Sequence, residues 1–125
     1  MTKILVIAVG SLAGGFARYY LTGFVSHFWG NRFPYGTLVV NLIGCFLIGI
    51  FSAVTEKKFL ISPELRLLLI AGFCGAFTTF SAFMLETANL LKGGELMAAF
   101  ANVIFSLGIG FLVFCLGVWL TEVMI

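Results

Sequence analysis

Charge is scarce in this chain: lysine, arginine, aspartate and glutamate make up 10% of its 125 residues, against 62% hydrophobic ones. Such a balance lies far outside that of soluble domains and excludes one as the main body of the protein. The seven basic and five acidic residues are scattered, with a net charge of +2, so there is no basic patch of the kind that tracks a nucleic-acid backbone. Histidine occurs once, at His27 close to Trp29, and no nucleophile–base pair or metal-ligand spacing surrounds it, so the chain is not read as an enzyme. The three cysteines, Cys45, Cys74 and Cys115, form no CxxC motif. They read as small buried hydrophobes and say nothing of the redox compartment. Solenoid repeats and low-complexity tracts are also missing, which leaves residues 1–125 as a single domain.

What the chain does have is long uncharged runs. Phe33 to Thr55, Leu67 to Leu85 and Leu96 to Thr121 are each long enough to cross a hydrocarbon core, which takes about 20 helical residues. A further run from Ile4 to about Phe28 is interrupted by Arg18 and counts as another span. Lys3 to Gly15 has the basic start and apolar middle of a signal peptide, but the next hydrophobic run follows at once with no clear cleavage site, so a span is expected there. The expected fold is an all-α integral membrane domain of four transmembrane helices at about 3–28, 34–55, 65–91 and 95–122, with no extramembrane domain between them. With alternating helices, Lys3, Lys57, Lys58 and Arg66 fall on one side and Arg32 and Lys92 on the other. This bias is weak, and is compatible with a cytoplasmic N-terminus or with insertion in both orientations.

Function in such a chain resides in its polar interruptions, because a polar group in lipid has to be paired. In the first run, Gly10 and Gly14 have the spacing that lets helix backbones approach closely. Arg18 either snorkels to the interface beside Tyr19 and Tyr20 or supplies an anion-attracting vestibule charge. In the second run Thr37, Asn41 and Gly44 share one helical strip. Asn41 is either glue between helices or part of a site. The third run, Gly72-Phe73-Cys74-Gly75-Ala76-Phe77-Thr78-Thr79-Phe80-Ser81-Ala82-Phe83, has glycines and threonines that weaken a helix, and local unwinding is expected between Gly75 and Ser81. Unwound carbonyls can bind a hard cation. Phe80 and Phe83, three residues apart, read either as core packing or as rings whose positive edges face an anion. Asn102, Ser106 and Gly110 form a matching strip in the last run, and the carboxylate of Glu86, near the end of the third, reaches the interface or serves proton coupling.

Taken together, Gly14-Gly15-Phe16-Ala17-Arg18-Tyr19, Gly36-Thr37-Leu38-Val39-Val40-Asn41-Leu42-Ile43-Gly44 and Gly75-Ala76-Phe77-Thr78-Thr79-Phe80-Ser81-Ala82-Phe83 resemble the Fluc (CrcB) family of microbial fluoride channels over essentially the whole chain. The resemblance implies an antiparallel, dual-topology homodimer in the bacterial plasma or inner membrane, with a third helix broken mid-membrane and two pores that passively export fluoride from the cytoplasm and so reduce its toxicity. It assigns Phe80, Phe83 and Asn41 to the fluoride pore, with Thr37, Thr79, Ser81, Asn102 and Ser106 as its polar track. It sets Arg18 in a vestibule, to which the position of Glu86 adds that residue. It also implies a structural sodium ion at the dimer centre, on the main-chain carbonyls of Gly75 and Thr78 from both subunits. The partners expected are fluoride, a second copy of the chain and membrane lipid, with no nucleic acid. Two alternatives are a small multidrug-type proton-coupled transporter, whose essential first-helix glutamate has no counterpart here, and a non-transporting membrane scaffold subunit.

Overall fold

A computed structural model describes residues 1–57 and 61–125. Lys58, one of the charges counted above, lies outside the described residues. The chain forms four helical spans, Thr2–Trp29, Tyr35–Glu56, Pro63–Lys92 and Leu96–Met124, each long and apolar enough to cross a bilayer. Their bounds lie within a few residues of those expected. The connections end the helices by local means. Gly30 leaves the first span at φ 78°, a conformation that favours glycine, and its N–H donates to Ser26 O at 2.9 Å. Ser62 Oγ accepts from Leu65 N at 3.1 Å and opens the third span, with Pro63 at its first position. Gly94, at φ 76°, turns the chain tightly from the third span into the fourth.

The spans pair as first on third and second on fourth, with the second also packed along the first. Each main crossing rests on glycine. A side chain at Gly10 or Gly14 would run into the backbone of Leu68 or Phe73, so the small-residue spacing of the first span is a packing face against the third. Gly49 lies against the carbonyl of Phe114 in the same way, and Gly117 against that of Phe46. In lipid, where water does not drive apolar helices together, such close backbone approach is the main source of van der Waals attraction between them. The packed interior is small: Val40, Cys74, Phe77 and Ala99 are buried, whereas Phe16, Phe24, Phe111 and Trp119 stand outward. Cys74 is buried as expected, Cys45 is half-buried, but Cys115 is exposed on the outer face of the fourth span, contrary to its expected burial.

Two stretches, Leu67–Cys74 and Phe105–Ile109, widen from α-helical to π-helical winding, which the sequence did not announce. The third span is interrupted between Phe77 and Phe80. Thr78 (φ −84°, ψ 154°) and Thr79 (φ −146°, ψ 115°) are extended, while Gly75–Phe77 keeps helical winding. The local unwinding expected between Gly75 and Ser81 falls on the two threonines. Their branched side chains suit extended backbone, and their hydroxyls bond to the helix ends on either side.

Replacing Gly49 with valine is expected to destabilise the chain by about 1–3 kcal/mol or more, the usual effect of overpacking, because the crossing with Phe114 is backbone on backbone. Gly23→Ala, where the added methyl meets nothing within 4 Å, should leave stability unchanged. Thermal unfolding in detergent measures both.

Candidate functional site

Breaking a helix inside a membrane span frees N–H and C=O groups that lipid cannot satisfy. Here four side chains meet them. Thr78 Oγ1 donates to Cys74 O at 2.8 Å, closing the first half of the third span. Thr79 Oγ1 accepts from Ala82 N at 3.2 Å and caps the second half. Arg18 Nε donates to Ala76 O at 3.1 Å, which sets a cation at the negative, C-terminal end of the first half. Asn41 grips Thr79 on both sides of its backbone: Nδ2 donates to Thr79 O at 3.1 Å, and Oδ1 accepts from Thr79 N at 2.8 Å. A planar amide bonded in this way imitates a neighbouring backbone peptide.

Beside the break lies a cavity of about 320 Å³. The second span lines it with Asn41, Gly44, Cys45 and Ile48, the third with Cys74, Thr78, Thr79, Phe80 and Phe83, and the fourth with Ser106 and Leu107. Gly44 leaves room for the Thr78 methyl, which any side chain there would strike. Ser106 sits in the π-helical turn of the fourth span, and its hydroxyl is buried without a hydrogen-bond partner among the described residues. Leaving a buried hydroxyl unpaired costs about 1–3 kcal/mol. The Phe80 and Phe83 ring centroids are 5.7 Å apart, with planes tilted by 47°. Phe83 is 6% exposed and Phe80 71%, so one ring belongs to the interior and the other stands at the surface of the chain. Both rings lie at the N-terminal end of the Phe80–Lys92 helix, where the dipole favours negative charge. The cavity thus brings together the Ser106 side chain, two phenylalanine rings and the start of a helix.

The remaining polar residues fall into separate groups. Thr37 Oγ1 donates to Glu86 Oε1 at 2.7 Å, and the other Glu86 oxygen is buried without a partner among the described residues. Glu86 also lines a second opening with Asn31, Arg32, Asn89 and Glu95, at the end of the spans where the first loop lies. Ser81 is exposed, with its hydroxyl 3.4 Å from that of Thr79. Asn102 is not a cavity wall: it is buried, and its Nδ2 donates to Thr87 Oγ1 at 2.9 Å. Among the described residues no hydrogen bond ends on the carbonyl of Gly75 or Thr78. No group of three or more His, Cys, Asp or Glu side chains gathers as metal ligands among those residues either.

Residues 5–118 match the family described as CrcB-like protein, Camphor Resistance (CrcB). The chain belongs to the CrcB family. Its relatives include a protein of Methylocella silvestris named fluoride-specific ion channel FluC, 45% identical over 122 residues, which cover 95% of this chain and 89% of the relative. Proteins of the same name from Geotalea uraniireducens (48% identical, covering 85% of this chain and 86% of the relative) and Chlorobium phaeobacteroides (49%, covering 84% and 79%) are similar to it as well. The CrcB match takes in the break, the cavity walls and both openings.

Thr87, the Ala76 carbonyl and Ile48 had no place among the expected site residues, and Cys45 was read only as a buried hydrophobe. For Thr87 a signal existed, since a hydroxyl one helical turn after Phe83 in an apolar run needs a partner as much as Asn102 does. A main-chain acceptor such as Ala76 O leaves no mark in a sequence. Asn41→Leu should strand both backbone groups of Thr79, at about 1–3 kcal/mol for each. The expected outcome is a matching loss of resistance to thermal unfolding in detergent.

Proposed function

We propose that this chain is the subunit of a fluoride-selective channel that lets the ion leave the cytoplasm down its gradient. The observation that carries the reading is the cavity where Ser106, Asn41 and the Phe80 and Phe83 rings come together at a helix N-terminus. The name that the relatives bear, fluoride-specific ion channel, supports the same ion. Fluoride is small and strongly hydrated, so a path selective for it must replace water with hydrogen-bond donors and ring edges at close range. Chloride, being larger, is refused by a narrow path with the same groups. Passive exit suffices for detoxification: fluoride enters as its neutral acid, dissociates at the higher cytoplasmic pH and leaves as an anion.

The working unit in this reading is two copies in antiparallel, dual-topology insertion, with two pores that each take residues from both. Phe80 supports it, since a pore-lining ring that stands 71% exposed on one chain has a wall still to be supplied. The weak charge bias supports insertion in both orientations. The break then lies mid-membrane at the centre of the pair. The free carbonyls of Gly75 and Thr78 fit a structural sodium ion, a hard cation that takes oxygen ligands. Two such carbonyls from each copy would hold it, and its charge would join the halves. In this reading two separate pairs belong to the polar track, Thr79 with Ser81 at the break and Thr37 with Glu86, the latter at the opening beside Arg32. Arg18, bonded to Ala76 O at the break, acts on the ion through the field of its charge.

Purified protein in liposomes loaded with fluoride should release it to a fluoride electrode, and external chloride should not compete. Absence of release would sink the channel reading, and release of a lipophilic cation driven by a proton gradient would establish the transporter alternative. A protein inert to both ions is the scaffold case. Phe80→Ile and Phe83→Ile should each slow fluoride efflux by roughly an order of magnitude, the effect of about 1.4 kcal/mol on the barrier. Unchanged efflux in either variant removes that ring from the pore.

A further inference from the structure

The helix Phe80–Lys92 carries both aromatic rings, yet it starts at a break and so receives no orientation from the helix before it. Asn41 holds its first end through Thr79. The Thr37–Glu86 bond also ties this helix to the second span, but neither contact fixes it against the fourth, and a small rotation would swing the Phe83 ring relative to the cavity. An anchor to the fourth span lies one turn beyond that ring. Thr87 Oγ1 donates to the Phe83 carbonyl at 2.7 Å, which directs its hydroxyl proton inward along the helix. The hydroxyl oxygen is then available as an acceptor, and Asn102 Nδ2 of the fourth span donates to it at 2.9 Å. Asn102 is 2% exposed, so its amide has no competing water to attract it away. The short Gly93-Gly94 turn ties the same two spans together a few residues further on.

We infer that Thr87 and Asn102 are positioning residues, a two-membered link between the third and fourth spans that sets the Phe83 ring against the cavity without touching the ion. The inference rests on the channel reading for its effect on selectivity, but the link itself does not. Asn102 acts through Thr87, so its place on the polar strip of the fourth span serves alignment, while Ser106 one turn later faces the cavity.

The test uses full-length protein in liposomes or detergent, with a ring-fluorinated phenylalanine introduced at position 83 and followed by fluorine NMR. Thr87→Val keeps the shape and removes the hydroxyl, Asn102→Leu removes the donor from the opposite side, and Thr87→Ser retains the link. The first two should move the signal of the labelled ring and lower the fluoride-over-chloride permeability ratio by roughly two- to tenfold, the range expected for one lost hydrogen bond. Thr87→Ser should preserve both. The double variant should behave like either single one, because both remove the same link. If one of the single variants fails to fold, the other removes the link from its own side and decides alone. A labelled ring unmoved by loss of the hydroxyl or of the amide overturns the inference, and so does an additive double variant, which would mean that Asn102 acts on the ion directly. Should the unmodified protein pass no fluoride, the channel reading fails alone, and the NMR comparison still decides whether the link orients the ring.

Discussion

The clamp of Asn41 on the Thr79 backbone is the interaction on which the rest of this structure depends. Within lipid, an interrupted helix is tolerated only where its freed backbone groups find partners in the protein. Asn41 supplies a donor and an acceptor from a neighbouring span, and the two threonine hydroxyls and Arg18 attend to the adjoining helix ends. The break is thereby stable within one chain. It also gives the third span a second helix N-terminus part-way along its length, which a continuous helix would not have.

From that point the site follows by geometry. The new helix begins with Phe80, its first residues line the cavity, and Phe83 follows on the next turn. The second span brings Asn41 into place because Gly44 lets it pass close to Thr78, and Gly49 and Gly117 bring the fourth span against the second. The π-helical turn at Phe105–Ile109 alters the winding where Ser106 meets the cavity. Glycine crossings, capped break and unpartnered hydroxyl thus form one chain of cause, in which close packing makes an apolar cavity and the few polar atoms left inside it define what it accepts.

Much of this was legible beforehand because a bilayer is a strict solvent. A run of about 20 uncharged residues has few alternatives to a spanning helix, so Phe33 to Thr55 and Leu96 to Thr121 declared themselves. The Gly10 and Gly14 spacing announced a packing face, and the residues of the third run announced weak helical winding. Other features were less accessible. Glycines and threonines were read together as what weakens the third run, and the two threonines alone carry the interruption, since their own hydroxyls bond to the helix ends on either side. Cys115 read as buried because it sits in an apolar run, and hydropathy does not distinguish a lipid-facing side of a helix from a protein-facing one.

The amino-acid sequence by itself determined that this is a multi-pass helical membrane protein and which polar residues had to find partners, because transfer of polar groups into lipid is costly wherever they lie. Only the tertiary structure decided who those partners are. Asn41 meets a backbone rather than another side chain, Arg18 meets Ala76 O, and Asn102 meets Thr87 while Ser106, on the same strip, is left facing a cavity. The reason is that a hydrogen bond depends on distance and direction to within a fraction of an ångström and a few tens of degrees, and those quantities arise only when the spans have packed.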